Sequence, residues 1–85
     1  MSERMEYKLK SPIAWGNETI EVLAFREVEA GDLFDIPTDR APSMKEMVTL
    51  AAKLCGQDLV VMKKLKGRDL KDVMDILGKQ LDASL

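Results

Sequence analysis

The side chains best suited to chemistry are four carboxylates that lie close together before the middle of the chain: Glu27, Glu29, Asp32 and Asp35. Two carboxylates can act as acid and base when burial separates their pKa values. These four occur in a short polar stretch of turn-forming residues, a composition that favours exposure. The pattern therefore indicates a solvated corner of the chain rather than a catalytic pair.

Other reactive groups are scarce. The sequence contains no histidine and a single cysteine, Cys55. It therefore lacks the commonest general base, any Ser–His or Cys–His arrangement and a zinc ligand set. Cys55 ends an apolar stripe at helical spacing, so we expect an unreactive core thiol in a reducing compartment. No glycine-rich phosphate-binding loop is present. We expect no enzymatic activity, no cofactor and no metal.

Size and charge narrow the class of partner. Residues 1–85 are expected to form a single domain. Residues 1–42 carry five Lys/Arg and nine Asp/Glu, while residues 43–85 carry eight and six. Neither half has the concentrated basic face that binds nucleic acid. No apolar run approaches the ~20 residues of a membrane span. We expect a soluble cytoplasmic protein without nucleic-acid, membrane or small-molecule partners.

The first third of the chain predicts a β-hairpin over about residues 5–25. Apolar and charged residues alternate over residues 5–10, the period of a half-buried strand. Pro12 interrupts this strand. Residues 16–18, Gly-Asn-Glu, suit a tight turn, and residues 19–25 resume the strand. A two-stranded hairpin is marginal alone and needs a helix or another chain against it.

Helices are predicted after the hairpin, which makes the fold class α+β. A short helical turn over residues 29–34 precedes a proline-containing loop. Ser43-Met44-Lys45-Glu46 is a capping box, S-x-x-E, that opens a helix over about 43–55. Gly56 then suits a left-handed helix end.

Two further helices are predicted over about 59–65 and 69–81. Gly67 should separate them. Asp69 is expected to cap the last helix or to lie in its first turn, where a carboxylate favours the helix dipole. The tail, residues 82–85, is expected to fray.

Two binding functions fit this pattern. Ala52, Gly56 and Met62 have the spacing of a helix-turn-helix, which would make residues 59–67 the recognition helix of a small DNA-binding regulator. That segment offers Leu, Val and lysines, which specify little base sequence. The second function is a protein-binding module. Six methionines, two amphipathic helices and a hairpin edge suit a surface that adds a strand or docks a helix.

Four phrases resemble a known family in the order in which they occur. They are the opening YKLKSPIAWGNETIEVLAFRE, the phrase EAGDL, the helix MVTLAAKLCG and the closing KLKGRDLKDVMDIL. Together they are similar to the small tail assembly chaperones of contractile-tailed phages and prophages, of the P2-like and Mu-like type.

The resemblance implies a non-enzymatic role in the host cytoplasm. Such proteins bind the tape measure protein, keep its helical apolar segments from aggregating and help to recruit the tail tube protein. They are absent from the mature virion. Self-association into a homo-oligomer also remains open, since an exposed hairpin edge favours it.

Two sets of residues are expected to matter in this role. At the corner, Phe25 finishes the strand, Gly31 permits the bend, and Asp32 starts a helical turn that buries Leu33 and Phe34. The hypothesis for partner contacts names seven residues: Phe25, Arg26, Leu33, Phe34, Met74, Leu77 and Leu81. The residues expected to maintain the structure are Gly31, Asp32, Ser43, Glu46 and Gly56.

Overall fold

The computed structural model describes residues 5–37 and 39–84, with side chains through Leu81. In chain order the elements are β1 (Met5–Trp15), β2 (Glu18–Phe25), a 3-10 helix (Ala30–Leu33), α1 (Met44–Cys55), α2 (Leu59–Met62) and α3 (Gly67–Ser84). The fold is α+β with an N-terminal antiparallel hairpin, a helical turn and three helices. The predicted fold class is confirmed.

Strand β1 contains a wide bulge. The ladder pairs Lys8 with Val22 and then Ile13 with Ile20, so residues 9–12 of β1 lie opposite a single residue of β2. The proline in this segment has no N–H to give to the ladder, which fits a bulge better than regular pairing. The interruption predicted at this place is therefore a bulge within one strand, and pairing resumes after it.

One face of the hairpin packs on the helices. Strand β1 contacts α3 and strand β2 contacts α1. The backbone also joins these layers, because Arg26 N–H donates to the carbonyl of Leu54 at 3.0 Å. The buried apolar residues come from every strand and α-helix: Leu9, Ile13, Leu23, Phe25, Leu50, Ala51, Ala52, Leu54, Val61, Met62, Val73 and Leu77.

Helix α1 begins at the predicted capping box. Ser43 N–H donates to Glu46 Oε1 at 2.8 Å, and Glu46 N–H donates to Ser43 Oγ at 3.2 Å. Arg40 adds hydrogen bonds to both Glu46 carboxylate oxygens at 2.9 and 3.2 Å. These hydrogen bonds lower the pKa of Glu46 to about 2, the Arg40 guanidinium contributing most.

Helix α2 is shorter than predicted. It begins as expected, with the Asp58 carboxylate accepting from Val60 N–H at 2.8 Å, but it ends at Met62 rather than near residue 65. Lys64 and Leu65 donate their N–H groups three residues back, as in a 3-10 turn. Two consecutive valines with low helix propensity favour this early end.

Helix α3 is longer than predicted at both ends. Gly67 was predicted to separate two helices, but it is the first residue of α3. Leu70 N–H donates to the carbonyl of Lys66 at 2.9 Å, which places Asp69 inside the first turn rather than at the cap. The backbone is helical through Ser84, and Leu85 lies outside the described residues, so fraying of residues 82–85 stays a prediction.

Gly56 and Gly31 differ in backbone conformation. Its φ of 66° is in the left-handed region that ends α1, whereas Gly31 has no positive φ. Neither glycine would place a Cβ within 4 Å of another atom, so space does not distinguish them. Gly56→Ala is therefore expected to lower the free energy of unfolding by about 1 kcal/mol through backbone strain alone. Urea unfolding of the variant and the wild type measures this difference in free energy.

Gly31→Ala is the matched control, and we expect it to change stability by less than about 0.5 kcal/mol. This corrects the expectation that the bend depends on Gly31, because the backbone at that residue is accessible to any L-amino acid. Equal destabilisation by the two substitutions would contradict the argument.

Candidate partner-binding site

A buried carboxylate joins the first turn of α3 to the bulge of β1. Asp69 is fully buried. It accepts hydrogen bonds from Lys10 N–H at 2.9 Å, Ser11 N–H at 3.0 Å and the Tyr7 hydroxyl at 2.7 Å. Two successive amides that the bulge frees from the ladder thus form a small anion-binding concavity, which the Asp69 side chain fills. This contact fixes α3 against the hairpin.

The charges around Asp69 are balanced. Burial alone would raise its pKa, but the hydrogen bonds from Lys10, Tyr7 and Ser11 together hold the pKa of Asp69 below its usual range. The Tyr7 hydroxyl also lies 2.7 Å from Asp72 Oδ2, so Asp69 and Asp72 share one phenolic proton as a hydrogen-bond donor. Burial and these two carboxylates raise the pKa of Tyr7. The Lys10 ammonium, 3.2 Å from Asp72, offsets the added negative charge.

A second ion pair holds the corner after β2. The guanidinium of Arg26 donates to both oxygens of Asp32, at 2.8 and 2.9 Å, and Asp32 also accepts from Glu29 N–H at 2.9 Å. The side chain of Asp32 is only 10 % exposed. The hydrogen bonds from Arg26, with help from Glu29 N–H, lower the pKa of Asp32 to about 2 although burial opposes this. The corner is therefore a folded, ion-paired structure.

The corner exposes an aromatic side chain that was expected to be buried. Phe34 is 86 % exposed, whereas Leu33 is half-buried. A 3-10 helix has three residues per turn, so Phe34 lies on the same side as Gly31, which faces solvent. Asp32 faces inward instead and is committed to Arg26. The prediction of a buried Phe34 is wrong.

The seven residues named as partner contacts lie in four environments. Phe25 and Leu77 are fully buried, so they support the core and have no surface available to a partner in this conformation. Arg26 is engaged by Asp32. Phe34 is exposed. The remaining three are half-buried: Leu33, Met74 and Leu81.

Four other large apolar side chains are also exposed. Met5 and Val22 on the hairpin are 44 % and 42 % exposed. Met44 at the start of α1 is 57 % exposed and Val60 on α2 is 48 % exposed.

Two grooves flank α1. The first, about 350 Å³, lies between the corner and α1 and contains three acidic side chains as well as lysines. Its charges are largely paired within the chain: Lys53 contacts Asp35 at 2.7 Å, and Arg40 contacts Glu46. The second groove, about 390 Å³, lies between α1, α2 and the start of α3 and is mainly apolar.

The pattern of residues along the chain predicted neither the Asp69 hydrogen bonds nor the Arg26–Asp32 ion pair. Asp69 was placed correctly near the start of the last helix, but its partners are backbone amides about 60 residues earlier in the chain. Arg26 and Asp32 were both named, yet their pairing was not. A proline inside an otherwise regular strand was the one local signal of freed amides, and it does not identify what they bind.

The recognition helix of the alternative DNA-binding function does not form. Residues 59–67 contain α2, a turn and the first residue of α3 rather than one helix. Val61 and Met62 within α2 are buried in the core, because the turn packs them against α1. A one-turn helix with half of its side chains buried lacks the exposed face that enters a DNA groove.

Among the residues that the structure describes, no helix is long and apolar enough to cross a membrane.

The fold defines a small α+β scaffold in which a hairpin is fastened to three helices and apolar side chains remain exposed. The chain matches the family model described as "Phage tail assembly chaperone proteins, E, or 41 or 14" over residues 6–82, nearly its whole length. It belongs to this family of phage tail assembly chaperones. The resemblance found in the sequence phrases is confirmed. No curated protein and no solved structure matches the chain.

Proposed function

We propose that the chain binds the tape measure protein and keeps it soluble during tail assembly, without catalysing a reaction. The observation that carries this proposal is the exposure of Phe34, 86 % accessible on an ion-paired corner. An aromatic side chain held by a rigid corner is a good anchor, because little conformational entropy is lost when it enters a partner. Family membership gives phage tail proteins as the class of partner.

The expected partner segment is helical and apolar. We propose the half-buried Leu33, Met74 and Leu81 as further contacts, together with the exposed methionines, whose flexible side chains adapt to different surfaces. The tail tube protein is a second proposed partner. In this role the chaperone acts in the host cytoplasm, leaves before the virion is complete, and needs no cofactor, nucleic acid or membrane.

Phe34→Ser tests the anchor. We expect at least a tenfold loss of tape measure protein retained on the tagged chaperone when both are co-expressed, since an exposed anchor is lost without loss of core packing. The soluble fraction of the tape measure protein should fall in parallel. The measurement is quantitative mass spectrometry of the retained and soluble fractions.

Val22→Ser is the control, because Val22 is also an exposed apolar residue but lies on the hairpin. It should leave retention within twofold, and both variants should melt like the wild type. Retention that is unchanged in Phe34→Ser would remove the anchor from the proposal. A wild-type chain that neither retains nor solubilises the tape measure protein would reject the proposed function.

A further inference from the structure

The mainly apolar groove beside α1 is an unfilled space between three helices. Its apolar lining comes from α1, α2, the following turn and α3: Val48, Leu59, Met62, Leu65 and Leu70. Met62 is buried and forms the base, whereas the other four are half-buried. Helix α2, on one side of the groove, is a single turn that ends at Met62. Its volume of about 390 Å³ is within the range of ligand pockets.

The groove suits a helix rather than a strand. Neither strand of the hairpin lines it. An extended segment would therefore find no strand edge for its backbone N–H and C=O groups, which would lose water without a partner. A helix satisfies these groups internally and presents apolar side chains at i, i+3, i+4 and i+7. Met44, 57 % exposed, continues the apolar surface because it lies one turn before Val48 on α1.

The charged side chains that line the groove indicate which residues should flank the apolar stripe of such a helix. Both charged side chains in the lining are lysines, Lys45 on α1 and Lys63 after α2. Both are exposed, and neither forms an ion pair within the described part of the chain. Lys45 also lines the neighbouring groove, but the three acidic side chains there are already paired with Arg26, Arg40 and Lys53. Carboxylates on the bound segment are the complementary charges for this rim.

We infer that the groove between α1, α2 and α3 binds an amphipathic helix of the partner whose apolar stripe is flanked by Asp or Glu. This inference rests on the proposed chaperone function and names the partner segment: a helix with an acidic border, as opposed to any apolar stretch. Lys45 and Lys63 select the border charge, and the four half-buried apolar side chains supply the affinity.

Two synthetic peptides of about 18 residues, long enough to hold a helix, are the probes. They share one leucine stripe and differ only in flanking residues, Glu in one and Lys in the other. Anisotropy titrations with the intact chain should show the Glu peptide binding at least tenfold more tightly at low salt. This difference should shrink as salt rises, since exposed charges are screened.

The charge-reversed double variant Lys45→Glu with Lys63→Glu should exchange the two preferences and bind the Lys peptide more tightly. Lys8→Glu with Lys79→Glu makes the same change in net charge at exposed positions outside the groove. This control should keep the wild-type preference. Thermal melts should show that both variants remain folded, which the exposure of all four lysines favours.

Three results with the purified chain would overturn the inference. The two peptides could bind equally, the two double variants could shift preference alike, or sedimentation could show a wild-type dimer that the groove variant dissociates, which would make a second copy the occupant. The chaperone function is tested separately. If the groove variant retains the tape measure protein as well as the wild type, the function stands and the groove assignment fails. If the wild type retains none, the peptides still test the groove.

Discussion

Replacement of Asp69 by asparagine is expected to lower the free energy of unfolding by about 3 kcal/mol, at the upper end for one charge-assisted hydrogen-bonding group. The carboxylate is fully buried and accepts from two backbone amides of the β1 bulge and from Tyr7. Asparagine has one acceptor oxygen in place of two, and its NH₂ group would face a backbone N–H. One buried donor would then lack a partner.

This loss is large for a chain of 85 residues, whose total stability is expected to be about 4–13 kcal/mol. It corresponds to a fall in Tm of roughly 12–24 °C, which differential scanning calorimetry would measure. Asp75→Asn is the matched control, because Asp75 is exposed on the same helix. It should change Tm by only a few degrees. Similar melting of the two variants would mean that the bulge amides do not depend on Asp69.

Replacement of Asp32 by asparagine is expected to cost about 2 kcal/mol at neutral pH, the scale of a charge-assisted bidentate pair that is mostly buried. Asp32 accepts hydrogen bonds from the two terminal guanidinium nitrogens of Arg26 and also from Glu29 N–H. Asparagine keeps one acceptor and loses the charge. Because the corner presents Phe34, retention of the partner should weaken along with stability.

The pH dependence gives this prediction a distinct signature. The folded-state pKa of Asp32 is lowered to about 2 from the ordinary value of 3.8. A lowered pKa stabilises the fold fully above about pH 4, and the stabilisation is lost as the pH falls towards 2. The difference in unfolding free energy between the wild type and Asp32→Asn should therefore be constant from pH 7 to about 5. It should narrow between pH 4 and 2.

Urea unfolding at a series of pH values measures this difference. Asp35→Asn is the control, since Asp35 lies in the same segment but is 75 % exposed and pairs with Lys53 at the surface. Exposed pairs contribute little, so we expect a change below about 0.5 kcal/mol at every pH. A difference for Asp32→Asn that does not narrow in acid would show that the ionised carboxylate is not what stabilises the corner.

The Asp69 hydrogen bonds and the Arg26–Asp32 ion pair also explain how so small a protein keeps apolar side chains exposed. Asp69 fastens α3 to β1, and the Arg26–Asp32 pair fixes the segment that leaves β2. Polar contacts of this kind hold the elements in place without using the apolar surface that a partner would cover. The second groove and Phe34 can then remain open in a folded chain.

The sequence by itself determined the elements. Alternation of apolar and charged residues located the hairpin, and the Ser43–Glu46 capping box located the start of α1, because both signals are local and depend on neighbouring residues. The four phrases indicated the family for the same reason, since they are read along the chain. Cys55 was also placed correctly, half-buried against the core, where burial raises the pKa of its thiol.

The tertiary structure decided which charges are paired, which apolar residues are covered and where a groove is left. Asp69 finds its donors far away in the chain, so no local pattern distinguishes it from the exposed Asp75 on the same helix. Phe34 and Phe25 are both aromatic residues near one corner, yet one is 86 % exposed and the other fully buried. The spacing of apolar residues predicts which helix or strand a residue belongs to, whereas its burial and its ion pairing depend on which distant segments pack against it.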